Sequence, residues 1–321
     1  MAAWICVLAL AALAEDRPAV IVVVGAPGTP EYGRQFDQWA TRLVQAAEKG
    51  GARVTRIGPG GQAESDEEDL AILQRTLATE PPESLHPLWL VLVGHGAYDR
   101  RKATFNLRGP DLSADDLAAW LEPFTRPVAA INCAASSGPF LPRLSAPGRI
   151  IVTATRSGAE QSFARFGDYF SQAICDISAD LDKDEQVSLL EAFLAASSRT
   201  QEFYRQEGRL ATEHALLDDT GDGQGTPADW FRGVRAIKAA KEGAEIDGLR
   251  ANQLHLIPSS QEETLSDEQR AERDALEREI EALRRRKSEL DEEDYYVALE
   301  TLLVRLARIY AQGEATEAKQ P

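Results

Sequence analysis

Two residues able to do nucleophilic chemistry follow two apolar runs. His95 comes just after Leu88–Val93 (LWLVLV), and Cys133 comes just after the VAAIN run that begins at Val128. Thiol chemistry needs a thiolate, an imidazole that can hold or transfer its proton, and N–H donors aimed at the developing oxyanion. The amides of Gly96 and Cys133 are the natural donors here, Gly96 because no side chain obstructs the approach. The small residues Ala134, Ala135, Ser136, Ser137 and Gly138 leave room for a substrate backbone. Taken singly, a Cys at a strand end is commonly a small buried hydrophobe, and a His-Gly pair is commonly a turn. Their joint arrival at equivalent ends of two apolar strands sets them apart.

Delivering both side chains to one place requires a sheet, because in open α/β folds sites form beyond the carboxyl ends of the strands. The run AVIVVVG at 19–25 is continuous and β-branched, as expected of a strand buried on both faces. Further strands are predicted at 52–57, 88–93, 128–131 and 149–154. Helices are predicted at 31–49, stopped by Gly50-Gly51, at 67–78, and from a Ser113 cap with Asp116 to about Leu121. This alternation implies an α/β fold, a doubly wound, mostly parallel sheet with helices on both faces. The stretch LHLI around His255 is a candidate sixth strand. His86, His214 and His255 are read as structural or solvated.

The pattern LVLVGHG, followed by a strand that ends in Cys with small residues and SSG, resembles the caspase-like clan of cysteine peptidases, the legumain-like family above all. The resemblance covers roughly residues 18–175. It implies strand order 2-1-3-4, with the His after the third strand and the Cys after the fourth. His95 would then be the general acid/base and Cys133 the nucleophile, with the Gly96 and Cys133 amides as oxyanion donors. It further implies that Arg34 reads the substrate's P1 group, and that the segment 152–162, with Ser157 and Glu160, lines the primary specificity pocket. The chain departs from the pattern at Asn132, where relatives more often carry an acid, and lacks the caspase signature Q-A-C-[RQG]-G.

Two acidic loops suggest calcium. In DLDKDEQVSLLE, Asp180, Asp182 and Asp184 fall at positions 1, 3 and 5 of the EF-hand loop, Gln186 at 7, Ser188 at 9 and Glu191 at 12. Such spacing wraps oxygen ligands around one hard cation. Glu185 stands where Gly usually allows the sharp turn. The flanking stretches 163–177 and 189–207 have helical periodicity, which makes an EF-hand-like helix–loop–helix. In DDTGDGQGTPAD, Asp218, Thr220, Asp222, Gln224, Thr226 and Asp229 fall at 1, 3, 5, 7, 9 and 12, with Gly223 at 6. A cation site and an ordinary Gly-rich turn both fit this second loop. No zinc, nucleotide or other organic-cofactor motif is present.

Residues 259–264 read as a polar linker between the main unit at 15–258 and a helical hairpin at 265–312, with 313–321 as a flexible tail. Ser266 and Gln269 form a capping box. Leu276, Ile280, Leu283 and Leu290, then Leu299, Leu302, Leu306 and Ile309, supply heptad-like stripes. The hairpin either packs on the chain itself or serves self- or partner association.

The chain has 321 residues, 35 basic and 52 acidic side chains and a formal net charge of −17. That acidity excludes a nucleic-acid binder, which needs clustered Lys and Arg, and the partner expected is a peptide or protein substrate. Residues 1–14 (MAAWICVLALAALA) match a secretory signal peptide, too short to span a bilayer, so a secreted or periplasmic chain with no membrane span is expected. Cys133 and Cys175 would remain, free or joined in a disulfide, Cys175 on an apolar helix face. Two functions stay open: an exported, calcium-stabilised cysteine endopeptidase with a His-Cys dyad, and a catalytically silent calcium-binding scaffold on the same fold.

Overall fold

The computed structural model describes residues 17–61, 67–238 and 246–317; the leader-like residues 1–14 lie outside them. Strands β1 (Ala19–Val24), β2 (Arg53–Ile57) and β3 (Leu88–Val93) alternate with helices α1 (Pro30–Lys49) and α2 (Asp69–Thr79). A small antiparallel ribbon of β4 (Gly96–Tyr98), β5 (Ala103–Phe105) and β6 (Leu112–Ser113) leaves β3 and feeds α3 (Ala114–Leu121). Then come β7 (Val128–Asn132), α4 (Phe140–Leu144), β8 (Arg149–Thr153), α5 (Phe166–Ala173) and α6 (Leu189–Gln206). Two short strands, β9 (Leu216–Asp218) and β10 (Thr226–Pro227), complete a seven-stranded sheet in the order β10-β9-β8-β7-β3-β1-β2. The five strands from β2 to β8 run parallel, and β9 pairs antiparallel with both β8 and β10. The first four parallel strands thus take the order 2-1-3-4.

Side chains of β1 alternate between two cores, as strand geometry demands. Val20, Val22 and Val24 pack with Phe36, Trp39 and Leu43 of α1, Phe166 and Phe170 of α5, and Phe193 of α6. Ala19, Ile21 and Val23 face Leu73 and Leu77 of α2, Leu117 and Leu121 of α3, and Phe140 and Leu144 of α4. The sheet is therefore covered on both faces, which is why its central strands β1 and β3 are continuous apolar runs. Thr29 caps α1 by accepting from Tyr32 N, with Pro30 in the first turn. Gly50, after α1, is required by close approach, because a Cβ there would lie 1.9 Å from the Leu256 carbonyl oxygen.

Past the sheet, β11 (Phe231–Arg232) and β12 (Arg235–Ala236) form a minimal hairpin, and α7 (Leu249–Asn252) precedes α8 (Ser260–Glu263). The LHLI stretch is not a sheet strand: His255 makes a single bridge to Ser188, and β9 is the sixth strand of the sheet. Residues 259–264 are not an open linker either, since Ser259 caps α8 and Glu262 forms a buried ion pair with Arg273. Helices α9 (Asp267–Arg285) and α10 (Glu292–Glu317) form the hairpin, its seam built by Leu265, Leu276 and Ile309 with Leu302, Leu306 and Tyr310. α10 continues past residue 312, where a tail was expected. The hairpin docks on the main unit through Gln253, which bonds Asp274 O at 3.0 Å and Glu277 at 2.7 Å, and through His86 with Asp267 at 3.2 Å. Among the described residues no helix is long and apolar enough to cross a membrane.

Candidate functional site

Asn132 pairs with Leu92 in the parallel ladder of β3 and β7, so His95 and Cys133 both emerge at the sheet's carboxyl edge on neighbouring strands. Behind them the chain is tightly wound. Asn132 Oδ1 accepts from Ala134 N at 3.0 Å, and Ser136 adopts a left-handed φ of 56°. Ser136 N donates to Glu160 O at 2.9 Å and its hydroxyl donates to Gly158 O at 3.1 Å, tying the loop after β7 to the loop after β8. Gly96 has no space for a side chain, because a Cβ would stand 2.3 Å from Ala135 O.

The surroundings of the two side chains are apolar. His95 is half-buried, edge-on to Tyr32 with centroids 4.7 Å apart and to Phe36 at 5.0 Å, with Phe163 at 5.9 Å. Its Nε2–H donates to Pro27 O at 3.3 Å, and burial lowers its pKa, favouring the neutral ring. Cys133 is 1% exposed. Helix α5 lies directly on it: a Cβ at Gly167 would meet Cys133 Cβ at 2.8 Å and the Trp39 ring at 2.9 Å. Burial, with a smaller contribution from the charge of Glu213, pushes the thiol up to about 12. Among the described residues no hydrogen bond joins His95 to Cys133. The Cys133 amide does not serve as an oxyanion donor, because it is committed to Leu92 O at 2.9 Å in the sheet ladder. This arrangement holds a protonated thiol beneath a helix.

Glu213, which no sequence pattern marks, explains the roof. Its carboxylate accepts from Arg165 N at 2.8 Å and Phe166 N at 3.0 Å, filling the N-terminal end of α5, and from Tyr204 Oη at 3.0 Å. Glu160 is also occupied internally, bonded to His214 Nδ1 at 2.6 Å and Arg156 Nε at 3.2 Å. Ser157 sits in the same loop, packed on Gly138. Arg34 is exposed on α1 with no ion pair among the described residues. Cys175 does not pack in the core. It is exposed, and both cysteines are free.

The acidic loops share a conformation over their first seven positions. Asp180 accepts from Lys183 N at 2.6 Å and Glu185 N at 3.2 Å, and Asp218 accepts from Gly221 N at 2.9 Å and Gly223 N at 3.0 Å. The residues at 4 and 6 are left-handed in both: Lys183 at 65° and Glu185 at 68°, Gly221 at 81° and Gly223 at 75°. Asp184 takes Gln186 N and Asp222 takes Gln224 N in the same way. The turn that Gly usually supplies is therefore made by Glu185 itself.

Beyond position 7 the loops part. Ser188 and Glu191 form a capping box that starts α6, and Glu191 reaches back to Leu181 N at 2.6 Å and Asp182 N at 3.3 Å. Burial raises the pKa of Glu191 and of Asp182. Carboxylate oxygens of Asp180, Asp182 and Asp184 lie within 4.8 Å of one another. In the second loop Asp229 sits on the short turn Ala228–Trp230 and bonds to no loop residue. The carboxylate that closes that loop is Asp247, which accepts from Asp219 N at 3.0 Å, Thr220 N at 3.3 Å and Thr226 Oγ1 at 2.5 Å. Thr220 Oγ1 and Ser145 Oγ both turn to Asp218. Asp247 comes from the far side of the hairpin β11–β12, so a twelve-residue window cannot find it.

No family model and no curated protein matches the chain. Among solved structures it is similar to the Drosophila initiator caspase Dronc, with a TM-score of 0.44 and 13% identity over 64% of this chain and 80% of that one. A Geobacter sulfurreducens protein matches with a TM-score of 0.40 and 12% identity over 63% of this chain and 93% of its own. Caspase-1 from Spodoptera frugiperda matches with a TM-score of 0.38 and 11% identity, covering 64% and 86% of the two chains.

Proposed function

We propose that this chain is a calcium-binding scaffold on a caspase-like fold, whose His-Cys pair is catalytically silent in the conformation described. One observation carries the reading: Cys133 is sealed beneath α5 and its thiol is pushed up to about 12. A nucleophilic thiol needs the opposite, an electropositive and accessible setting. Asp180, Asp182, Asp184 and Glu191 would hold the cation, with the Gln186 carbonyl at position 7, and Ser188 at 9 is spent on the helix cap. A hard divalent ion there would screen the mutual repulsion of the converging carboxylates and brace the start of α6.

The test is intact-mass labelling with a peptidyl acyloxymethyl ketone, with and without calcium, of the native chain, Cys133→Ala and His95→Ala. The expected result is no Cys133 adduct in either condition, together with a calcium-induced rise in melting temperature. A single adduct that vanishes in Cys133→Ala and in His95→Ala would overturn the silent reading and establish an activated thiol, as a cysteine peptidase requires. That second reading is favoured by the placement of His95 and Cys133 at the ends of adjacent strands.

A further inference from the structure

A cavity of about 450 Å³ opens beyond the carboxyl end of β8, walled by α6, by the segment entering β9 and by the turn after β10. Its polar groups are unlike those around Cys133, because several have no partner. Thr200 is 4% exposed, yet its hydroxyl makes no hydrogen bond. Among the described residues the exposed Gln201 amide and Asp229 carboxylate and the half-buried Trp230 ring also have no side-chain partner, and all three line the same space. A buried hydroxyl left unbonded is unfavourable and is usually satisfied by water or ligand.

The charge balance of the walls chooses the ligand. Arg156 and His214, the basic groups in the lining, are both engaged by Glu160, at 3.2 and 2.6 Å. Glu213 at the floor is committed to the N-terminal end of α5. The uncommitted charge at the cavity is therefore the negative charge of Asp229. The Thr200 hydroxyl, the Gln201 amide and the Trp230 indole line the same space. An ammonium or guanidinium group has only donors to offer and favours carboxylates and aromatic faces, whereas an anion would find no free cation.

We propose that this cavity binds the cationic group of a ligand, an ammonium or guanidinium, through Asp229, Thr200 and Trp230. The proposal is independent of whether Cys133 is reactive. Two sources share the chemistry, a Lys or Arg side chain of a peptide and a free polyamine. Calorimetric titration of the full chain with N-acetyl-arginine amide and N-acetyl-lysine amide, with putrescine and spermidine, and with N-acetyl-glutamate amide as the anionic counterpart separates them. One-to-one binding of a cationic probe is expected, weakened about tenfold in Asp229→Asn and about threefold in Thr200→Val, with melting temperatures unchanged. Preference for the amino-acid amides identifies a peptide side chain, and preference for the amines identifies a polyamine. The proposal is overturned by the absence of heat from every cation, by tighter binding of the glutamate amide, or by affinities that neither substitution changes. Quenching of Trp230 fluorescence by the bound probe, lost in Trp230→Phe, reads the same site without relying on either polar variant.

Discussion

The carboxyl edge at Cys133 and the loop at Asp180–Glu191 pose the same problem, several reactive side chains brought together in a small space, and the chain resolves it in different ways. At Cys133 the neighbours are Trp39, Gly167 and the aromatic cluster around His95, so the group is kept neutral. At the acidic loop the backbone amides of Lys183, Glu185, Leu181 and Asp182 turn toward the carboxylates, and those on Glu191 work against the burial that raises its pKa. The difference teaches that position on a fold does not confer chemistry. What decides it is whether the surroundings favour the ionised form.

The contrast can be broken most dramatically at the thiol. At pH 8, alkylation of Cys133 by iodoacetamide is expected to be at least about a hundredfold slower than that of the exposed Cys175, because a thiol with a pKa near 12 is almost wholly protonated. Peptide mapping over time checks this, and comparable rates would show that the roof does not protect the thiol. The pH dependence has a definite sign. The folded thiol ionises later than the unfolded one, so unfolding free energy should fall as pH rises from about 8.5 toward 12, and the fall should be shallower in Cys133→Ala.

The loop is sharpened by Glu191→Gln. Gln can complete the capping box but keeps only one of the two accepting oxygens, so the apo melting temperature should fall by a few degrees while calcium affinity drops about a hundredfold. Calorimetry alongside thermal melts separates the two roles, and an unchanged affinity would remove Glu191 from the site. The smallest effect is expected for Glu185→Gly. A non-glycine residue in the left-handed region is strained by roughly 1 kcal/mol, so this change should stabilise the apo chain by about that much in a denaturant titration. Destabilisation would show that the Glu185 side chain has a role that its backbone conformation conceals.

Much of the fold is readable from sequence because β1, β3, β7 and β8 are buried on both faces and announce themselves as unbroken apolar runs. The ribbon β4–β6 and the strands β9 and β10 are not, since strands of two or three residues carry no periodicity. The first seven positions of each acidic loop were equally readable, being made of side-chain-to-backbone bonds that span five residues or fewer. Thiol reactivity was not, because it depends on Gly167, Trp39 and Glu213, which come from three separate segments. Asp247 escaped for the same reason, and the buried Glu262–Arg273 pair hid in a stretch whose polarity resembled a linker.

Glu213 sets an order in time. Its carboxylate pins the end of α5 that covers Cys133, but it lies eighty residues beyond the thiol in the chain. As the polypeptide emerges during synthesis, β7 and its cysteine are complete well before the residue that fastens their cover exists. Cys133 is thus most open to oxidants and to wrong disulfides in the nascent chain, and becomes safe only when the segment entering β9 arrives.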